Sequence, residues 1–540
     1  MVTPIRKPLL ERQGLFVLRS NRIACTCRAR SQVILQGGYV LCNPMTFPLD
    51  DPIVLKLQRL ARRHSVQLYL VGGYVRDRLL GRARTDIDCT VLGDALTFAE
   101  KVAKHFRSKA VIYERFRTAM VPIGDYHLEF VGTRKEFYDE HSRKPITSDG
   151  TLEDDIFRRD FTVNALAVPL VGPHSGTIID LTGGLADLER RLLRTPRPPL
   201  ETFHEDPLRM VRAARFAAQL NFRIAEDAFD AIKQMAERIT IVSQERITDE
   251  LLKILAAPKP SIGFIILHKT GLLRYIFPEL DRLAGVELAT DGERRYAHKD
   301  VFFHTMKVLD NVAAASDNLW LRFATLVHDI AKPKTKKFVP GIGWTFHGHE
   351  EIGARWQERI FRRLKLPLEH LRYVETLVRL HQRPMALVDE GVTDSALRRL
   401  AVQADPWLDD LFTLCRADIT TQNQQRAEQY LANYDIVYRK IQEVRERDRL
   451  AAFQSPVRGE EIMELFGLPP SPAVGAIKHA LEQAILDGIV PNTYEDAKRY
   501  LLENRQQFEE IAQQANARFR LRHTHDSTSG NFAAVESSES

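Results

Sequence analysis

Residues 70–93, LVGGYVRDRLLGRARTDIDCTVLG, impose two local constraints that few folds satisfy together. A β-like run over 66–71 meets Gly72 and Gly73, and the helical stretch that follows is closed by Gly81. The next segment alternates Asp86, Ile87 and Asp88. On a strand, residues two apart share a face, so the two aspartates project together while Ile87 turns into a core. Neighbouring carboxylates repel unless a cation lies between them, and hard oxygen donors suit Mg²⁺. Glu129, within the alternating YHLEF, is placed to bring a third carboxylate from a neighbouring strand. Gly72 and Gly73 let backbone approach a ligand and open a helix whose first amides favour phosphate. Arg76, in its first turn, adds a charge-assisted contact to the same phosphates. A D-x-D or a Gly-Gly alone is common on protein surfaces. Set in the order strand, turn, helix, strand, they predict phosphoryl or nucleotidyl transfer.

At 540 residues the chain exceeds one core and predicts about two to four domains. The formal charge of +6 hints at a polyanionic partner, but the excess is confined to one end. Residues 1–44 hold seven Lys/Arg against one acid, and the remaining 496 residues hold 70 of each sign. An RNA-binding surface in the body is therefore a local patch, such as Arg355, Arg362, Arg363 and Lys365, or VYRKIQEVRERDR at 437–449. Cys25, Cys27 and Cys42 lie in the leader, leaving Cys89 and Cys415 for the body. That is too few for a disulfide framework and implies a reducing, cytoplasmic compartment. No apolar run approaches about 18 residues, so no membrane span is predicted. The leader is expected to stand outside the fold. A transit peptide, a disordered tail and translation begun upstream of Met45 all match its composition.

The motif at 70–93 resembles the nucleotidyltransferase head of class II tRNA CCA-adding enzymes and bacterial poly(A) polymerases. Downstream motifs follow in the family's order: LEDDIFRRDFTVNALAV (152–168), IIDLTGGLADLERRLLRT (178–195) and HEDPLRMVRAARFAAQLNF (204–222). The resemblance implies that Asp86 and Asp88 hold Mg²⁺ for attack of an RNA 3′-hydroxyl on a nucleotide α-phosphorus. It implies that Arg159 and Asp160 contact the nucleotide, Asp160 through the ribose hydroxyls, although Asp160 is equally placed to cap the next helix. Asp206, Arg209, Arg212 and Arg215 recur every three residues and predict a charged ridge along one helix. Three stacked arginines repel unless acids or a polyanion face them, and a triphosphate is the expected occupant. In the family the first Asp and Arg of this motif read the base, and Arg212 and Arg215 then hold phosphates.

In the helical half, His304, His328–Asp329 and Asp418 fall in the order His, His-Asp, Asp. This resembles the HD metal-dependent phosphohydrolase superfamily over about 298–425. Imidazole and carboxylate donors suit several divalent metals and select none of them. His347 and His349 in FHGHE, and His381 in RLHQRP, are candidates to extend that site or to bind phosphate. Beside a CCA-adding head, the implied substrates are phosphomonoesters and 2′,3′-cyclic phosphates at RNA ends.

The expected fold is α+β: a small nucleotidyltransferase-type α/β head (45–195) followed by a mostly helical body. The body is divided into a nucleotide- and RNA-binding part (196–290), an HD-type part (291–450) and a helical tail (451–520) that is a candidate for tRNA binding. Val474, Ile477, Leu481 and Ile485 share one face of the helix expected over 472–487, and the polar 521–540 is expected to be disordered. The expected function is addition or repair of the tRNA 3′-terminal CCA from CTP and ATP, with tRNA as partner and no oligomeric state indicated. The polar segment 132–150 matches the family's mobile loop for A addition, which favours full CCA addition over CC alone. A poly(A) polymerase shares these motifs. An HD phosphohydrolase with an RNA-binding amino-terminal half is a different class, opposed by the Asp86–Asp88 pair, and a tRNA-binding module without catalysis must explain both sites away.

Overall fold

The structure, a computed structural model, describes residues 32–34, 40–42, 45–114, 117–139, 142–285, 288–291, 294–297, 300–388, 392–448 and 455–528; within 32–42, 134–149, 288–297, 447–448 and 518–528 it describes backbone alone. Most of the basic leader therefore lies outside the described residues, apart from antiparallel strands Gln32–Ile34 and Val40–Cys42. Of the polar tail, 529–540 lies outside them, while helical backbone runs over Arg505–Thr528. The chain divides into two compact units, residues 1–133 with 166–180 and residues 134–165 with 181–540.

The first unit is a six-stranded mixed sheet. Its strands are β1 (Gln67–Val71), β2 (Asp86–Leu92), β3 (Val111–Tyr113), β4 (Thr118–Ile123), β5 (Tyr126–Gly132) and β6 (Ala167–Pro169), in the order β6-β1-β2-β5-β4-β3. Only β2 and β5 run parallel, and the other neighbours are antiparallel. Helix α1 (Pro52–Arg63) starts where Asp51 accepts the Ile53 amide at 2.8 Å and Pro52 presets the first turn. It buries Val54, Leu57 and Leu60 at helical spacing. Helix α2 (Gly72–Leu79) follows β1 without a loop. That abrupt turn holds Gly72 at φ 67°, a left-handed conformation that glycine alone adopts at no steric cost. Helix α3 (Ala95–His105) covers β4 and β5, where Phe98 meets Phe130 edge-on at 5.6 Å. Both rings are fully buried, each worth about 1.5–3 kcal/mol. Strand β2 shows the expected alternation over Asp86–Cys89, with Ile87 and Cys89 buried, and then buries Thr90 and Val91 in succession.

The second unit is helical apart from short hairpins and a parallel pairing of Leu192–Leu193 with Arg223–Ile224. The segment compared with a mobile loop is regular: Arg134–Asp139 and Ser142–Asp149 form an antiparallel hairpin. Its helices include α4 (Leu208–Leu220), α5 (Gln244–Leu255), α6 (Val301–Ala315), α7 (Leu319–Val327), α8 (His349–Leu364), α9 (Leu371–Leu380), α10 (Leu408–Asp418) and α11 (Pro472–Leu486). Arg322 on α7 is buried and donates to the carbonyls of Leu255 and Ala257 at 3.1 and 3.2 Å, tying α5 to α7. Helix α11 is the one expected over 472–487. Its Ile477, Leu481 and Ile485 join Ile462, Leu501 and Phe508 in a core belonging to 455–512. The basic patch proposed around α8 is balanced by acids: Arg355 pairs with Glu351, Arg362 with Glu358 and Arg363 with Glu279.

Candidate active sites

The β2–β5 register sets the first site. Asp88 lies beside Glu129 and Asp86 beside His127, and adjacent residues in register share a sheet face. Leu128 and Phe130 are buried on the other side, so Asp86, His127 and Glu129 face solvent. One oxygen of Asp88 accepts the Gly73 amide at 3.0 Å, which joins the glycine turn to the carboxylates. Arg76 is placed otherwise than expected. It is 4% exposed, and its Nε and Nη2 fork onto Asp77 at 2.8 Å, so it is folded in rather than presented to a ligand. Asp77 also binds Arg84 at 2.9 Å, and Arg84 reaches Asp86 at 3.7 Å. Burial works against charge on Arg84, but Asp88, Asp77 and Asp86 outweigh it and hold the guanidinium more firmly protonated than usual. Arg76 and Arg84 neutralise Asp77 and part of the charge on Asp86 and Asp88, and Asp86, Asp88 and Glu129 remain as an acidic donor set that fits a divalent cation.

In the second unit, acids face the arginine helix. Arg209 donates to the Thr202 carbonyl and to Glu205, each at 3.2 Å, and to the Arg158 carbonyl. Arg212 binds Asp160 at 2.8 Å through Nε, and Arg215 meets Glu250 at 2.7 Å while stacking 4.0 Å over Phe216. The expectation that a triphosphate must balance this ridge is therefore corrected: Glu205, Asp160 and Glu250 already do so. Asp206 lies before α4 rather than on it, caps the Leu208 amide at 3.2 Å and pairs with Arg246 at 3.0 Å. Asp160 is buried, accepts the Phe161 backbone amide at 2.8 Å and the Asn164 side-chain Nδ2 at 2.9 Å, and caps no regular helix. Arg159 reaches buried Asp155 at 2.9 Å, and Arg158 reaches it too. Burial alone would raise both carboxyls. Arg159 and Arg158 around Asp155, and Arg212 beside Asp160, reverse that and hold them well below the usual range.

The third constellation joins α6, α7, α8, α9 and α10. His304 Nε2 is 2.9 Å from Asp418 Oδ1, and His328 Nε2 is 3.3 Å from Asp329 Oδ2. His349 Nε2 lies 3.2 Å and His381 Nε2 3.7 Å from Asp329 Oδ1. His347 is exposed and contributes no atom to this convergence. Nδ1 of His328, His349 and His381 each meets the carbonyl three residues back, at 2.7, 2.8 and 2.7 Å. A carbonyl only accepts, so those Nδ1 atoms donate and Nε2 carries the lone pair for a metal. Among the described residues, buried His328 Nε2, Asp329 Oδ1 and Asp418 Oδ1 make ion-pair contacts within the cluster but none with hydrogen-bond geometry. A cation satisfies all three. Without one, burial disfavours charge on His328, but Asp329 and Asp418 overcome it and push the imidazole up to about 10. Burial, then the charge on His328, pushes His381 down to about 3. A cavity of about 690 Å³ opens onto the cluster, with Lys332, Tyr430 and Tyr434 in its wall.

Family models match in the same order: a poly A polymerase head domain over 68–194, a probable RNA and SrmB-binding site of polymerase A over 221–283, and an HD domain over 301–406. An A-adding tRNA nucleotidyltransferase of Deinococcus radiodurans is 32% identical over 442 residues, covering 80% of this chain and 94% of the relative. The chain belongs to the tRNA nucleotidyltransferase family. A CC-adding tRNA nucleotidyltransferase of Thermus thermophilus is 33% identical over 453 residues, covering 80% of this chain and 92% of its own. The fold is shared with the crystal structure of the Bacillus stearothermophilus CCA-adding enzyme in complex with CTP, at TM-score 0.56 and 24% identity over 84% of this chain and 98% of that one. The tRNA nucleotidyltransferase head and the HD domain both imply dependence on divalent metal. Among the described residues, no helix is long and apolar enough to cross a membrane.

For this tRNA nucleotidyltransferase, sequence reasoning missed Arg84, Glu250 and Arg246. Arg84 had a signal: the period of two that pairs Asp86 with Asp88 reaches back to it. Glu250 had a fainter one, an acid standing among Ile247, Leu251 and Ile254 on the buried face of α5. Arg246 pairs with Asp206 across 40 residues, and no local spacing announces that.

Proposed function

We propose that this chain builds or repairs the 3′-terminal CCA of tRNA from CTP and ATP, with the protein rather than a nucleic acid as template. The carrying observation is the β2–β5 register, which sets Asp88 beside Glu129 and Asp86 on the same solvent-facing edge. Mg²⁺ held by Asp86 and Asp88, with Glu129 adjoining, supplies activation of the 3′-hydroxyl and neutralises the triphosphate when bound. The 3′-oxygen attacks the α-phosphorus in line and pyrophosphate leaves. The Gly72–Gly73 turn brings backbone to the phosphates, and Arg84 takes the contact first expected of Arg76, which instead orients Asp77 and through it Arg84.

In the second unit, Asp206 accepts from the exocyclic amine of cytosine or adenine, and Arg209, oriented by Glu205, donates to the ring acceptor beside it. Uracil and guanine present a carbonyl where the carboxylate needs a donor, and that mismatch rejects them. Arg159 and Asp160 contact the nucleotide, and Arg212 and Arg215 exchange part of their acid pairing for phosphate. In Asp206→Ala the preference for CTP and ATP over UTP and GTP should fall by about a hundredfold, measured as a ratio of kcat/KM. Unchanged selectivity would remove the templating role. The His304, His328, Asp329 and Asp418 cluster supports metal-dependent hydrolysis of phosphomonoesters or 2′,3′-cyclic phosphates at RNA ends. Buried, unpaired Cys89 and Cys415 support a cytoplasmic setting.

Transcripts of tRNA ending before CCA, given labelled CTP and ATP separately and together, test this reading. Ordered gain of two C and one A is expected. A second reading, partial addition, is favoured by the two relatives, one A-adding and one CC-adding, and incorporation stopping after CC or confined to A selects it. Unlimited A from ATP alone selects polyadenylation.

A further inference from the structure

We propose that a lysine-rich segment at the rim of the HD cavity binds the phosphodiester backbone of single-stranded RNA, so that the substrate there is the last nucleotide of a polynucleotide rather than a free mononucleotide. This rests on the reading of the cluster as a metal-dependent hydrolase and names the substrate class it takes.

Residues 332–346, KPKTKKFVPGIGWTF, hold four lysines and no acid, in a body whose charges otherwise balance. The segment begins and ends in the cavity wall. Lys332 and Phe346 both line it, Lys332 Nζ lies 5.8 Å over the Phe346 ring, and Thr335 Oγ1 donates to the Phe346 carbonyl at 3.2 Å. Between these ends lie the short helix Lys332–Thr335 and an antiparallel hairpin pairing Lys337–Val339 with Gly343–Thr345. The lysines therefore stand at the cavity mouth, since the chain from Lys332 to Lys337 spans at most about 18 Å. Trp344 meets Phe338 at 5.5 Å and holds Lys336 4.8 Å over its ring, which fixes the hairpin's side chains.

A basic run is usually a solvated face balanced by acids, as on α8, where Arg355, Arg362 and Arg363 each pair with a glutamate. This run differs. Lys334 and Lys337 are exposed, and among the described residues neither has a carboxylate within ion-pair distance. Lys332 turns inward, 2.6 Å from Asp329. A polyanion outside the cavity is the natural complement of the two free ammonium groups. The cavity, about 690 Å³, has the size of a site for one small ligand and not for a polymer. A terminal nucleotide seated in it leaves the preceding phosphates outside, beside Lys334 and Lys337, where a mononucleotide has nothing to offer. A 2′,3′-cyclic phosphate needs a ribose 2′-oxygen, so the polymer is RNA. Water opens the cyclic ester: one ribose oxygen leaves phosphorus as a hydroxyl, the phosphomonoester stays on the other, and no further reactant is consumed.

The test compares hydrolysis of a 2′,3′-cyclic phosphate on a short single-stranded oligoribonucleotide with that of a 2′,3′-cyclic mononucleotide, using the full chain with Mn²⁺, Co²⁺ or Ni²⁺ supplied in turn. At about 50 mM salt the oligonucleotide should show a kcat/KM about tenfold higher, an advantage lost as salt rises. Lys334→Gln/Lys337→Gln should remove that advantage and flatten the log–log salt slope by about 1.4, at about 0.7 for each phosphate contact on a single strand. Mononucleotide hydrolysis should be unchanged. Equal kcat/KM for the two substrates, an unaltered salt slope in the double variant, or a parallel fall in mononucleotide hydrolysis overturns the inference and leaves the hydrolase reading standing. Hydrolysis of neither substrate with any of the three metals overturns both.

Discussion

Asp86 leaves 56% of its side chain in solvent, and Asp329 leaves 1%. The head sets its carboxylates on the open face of a sheet, where Arg84 reaches Asp86 at 3.7 Å and an exposed imidazole, His127, reaches it at 3.5 Å. The helical cluster is buried at the back of a cavity, and His328, His349 and His381 are held by carbonyls before any metal arrives. A half-built, exposed site relies on substrate phosphates to complete the coordination shell, which suits a metal that arrives with a nucleotide. A buried, fully oriented site binds its metal as part of the fold. The contrast therefore predicts two activities that separate cleanly.

The largest effect should come from removing one acid at each end. Asp86→Ala should lower nucleotide incorporation at least about a thousandfold and leave phosphoester hydrolysis intact, with Asp329→Ala doing the reverse. Loss of both activities from either change would show the two sites to be coupled. Next comes the acid behind the arginine helix. Glu250→Gln leaves Arg212 and Arg215 short of their buried partner and should cost about 3 kcal/mol in denaturant unfolding. A change within about 0.5 kcal/mol would mean that the acids facing α4 do not hold it.

The arginine helix also marks where sequence falls short. Period-two alternation made Asp86, Ile87 and Asp88 legible, because one strand carries the whole pattern. The HD residues were legible through their order, and FHGHE and RLHQRP contributed His349 and His381 but not His347. Arg76 was misplaced since its first-turn position says nothing of Asp77 beside it, whose carboxylate captures it. Spacing gave the arginines of α4 but not the acids opposite, which arrive from Pro199–Glu205, from α5 and from the turn at Asp160. Charge balance between elements distant in sequence leaves little local trace.

Smaller effects sharpen the same contrast. Arg84→Gln should raise KM for the nucleoside triphosphate about tenfold, the value of one charge-assisted contact, with hydrolysis at the HD cluster unchanged. An unchanged KM would return the phosphate contact to the glycine turn alone. Smallest is the acid limb of stability. Asp155 and Asp160 are held well below their unfolded values by the arginines around them. Their contribution is therefore complete above about pH 4 and is lost as pH falls further. Asp155→Asn should flatten stability against pH below about 4, and an unaltered acid slope would exclude that carboxylate as its source.

The most direct measurement is single-turnover CMP incorporation into a tRNA transcript ending before CCA, catalysed by Asp86→Cys in Mg²⁺ and again in Cd²⁺ or Mn²⁺. A thiolate is a poor ligand for Mg²⁺ and a good one for softer ions. Activity should vanish in Mg²⁺ and return with the thiophilic metal. A wild-type rate for Asp86→Cys in Mg²⁺ would contradict a reacting metal on the exposed carboxylates of β2.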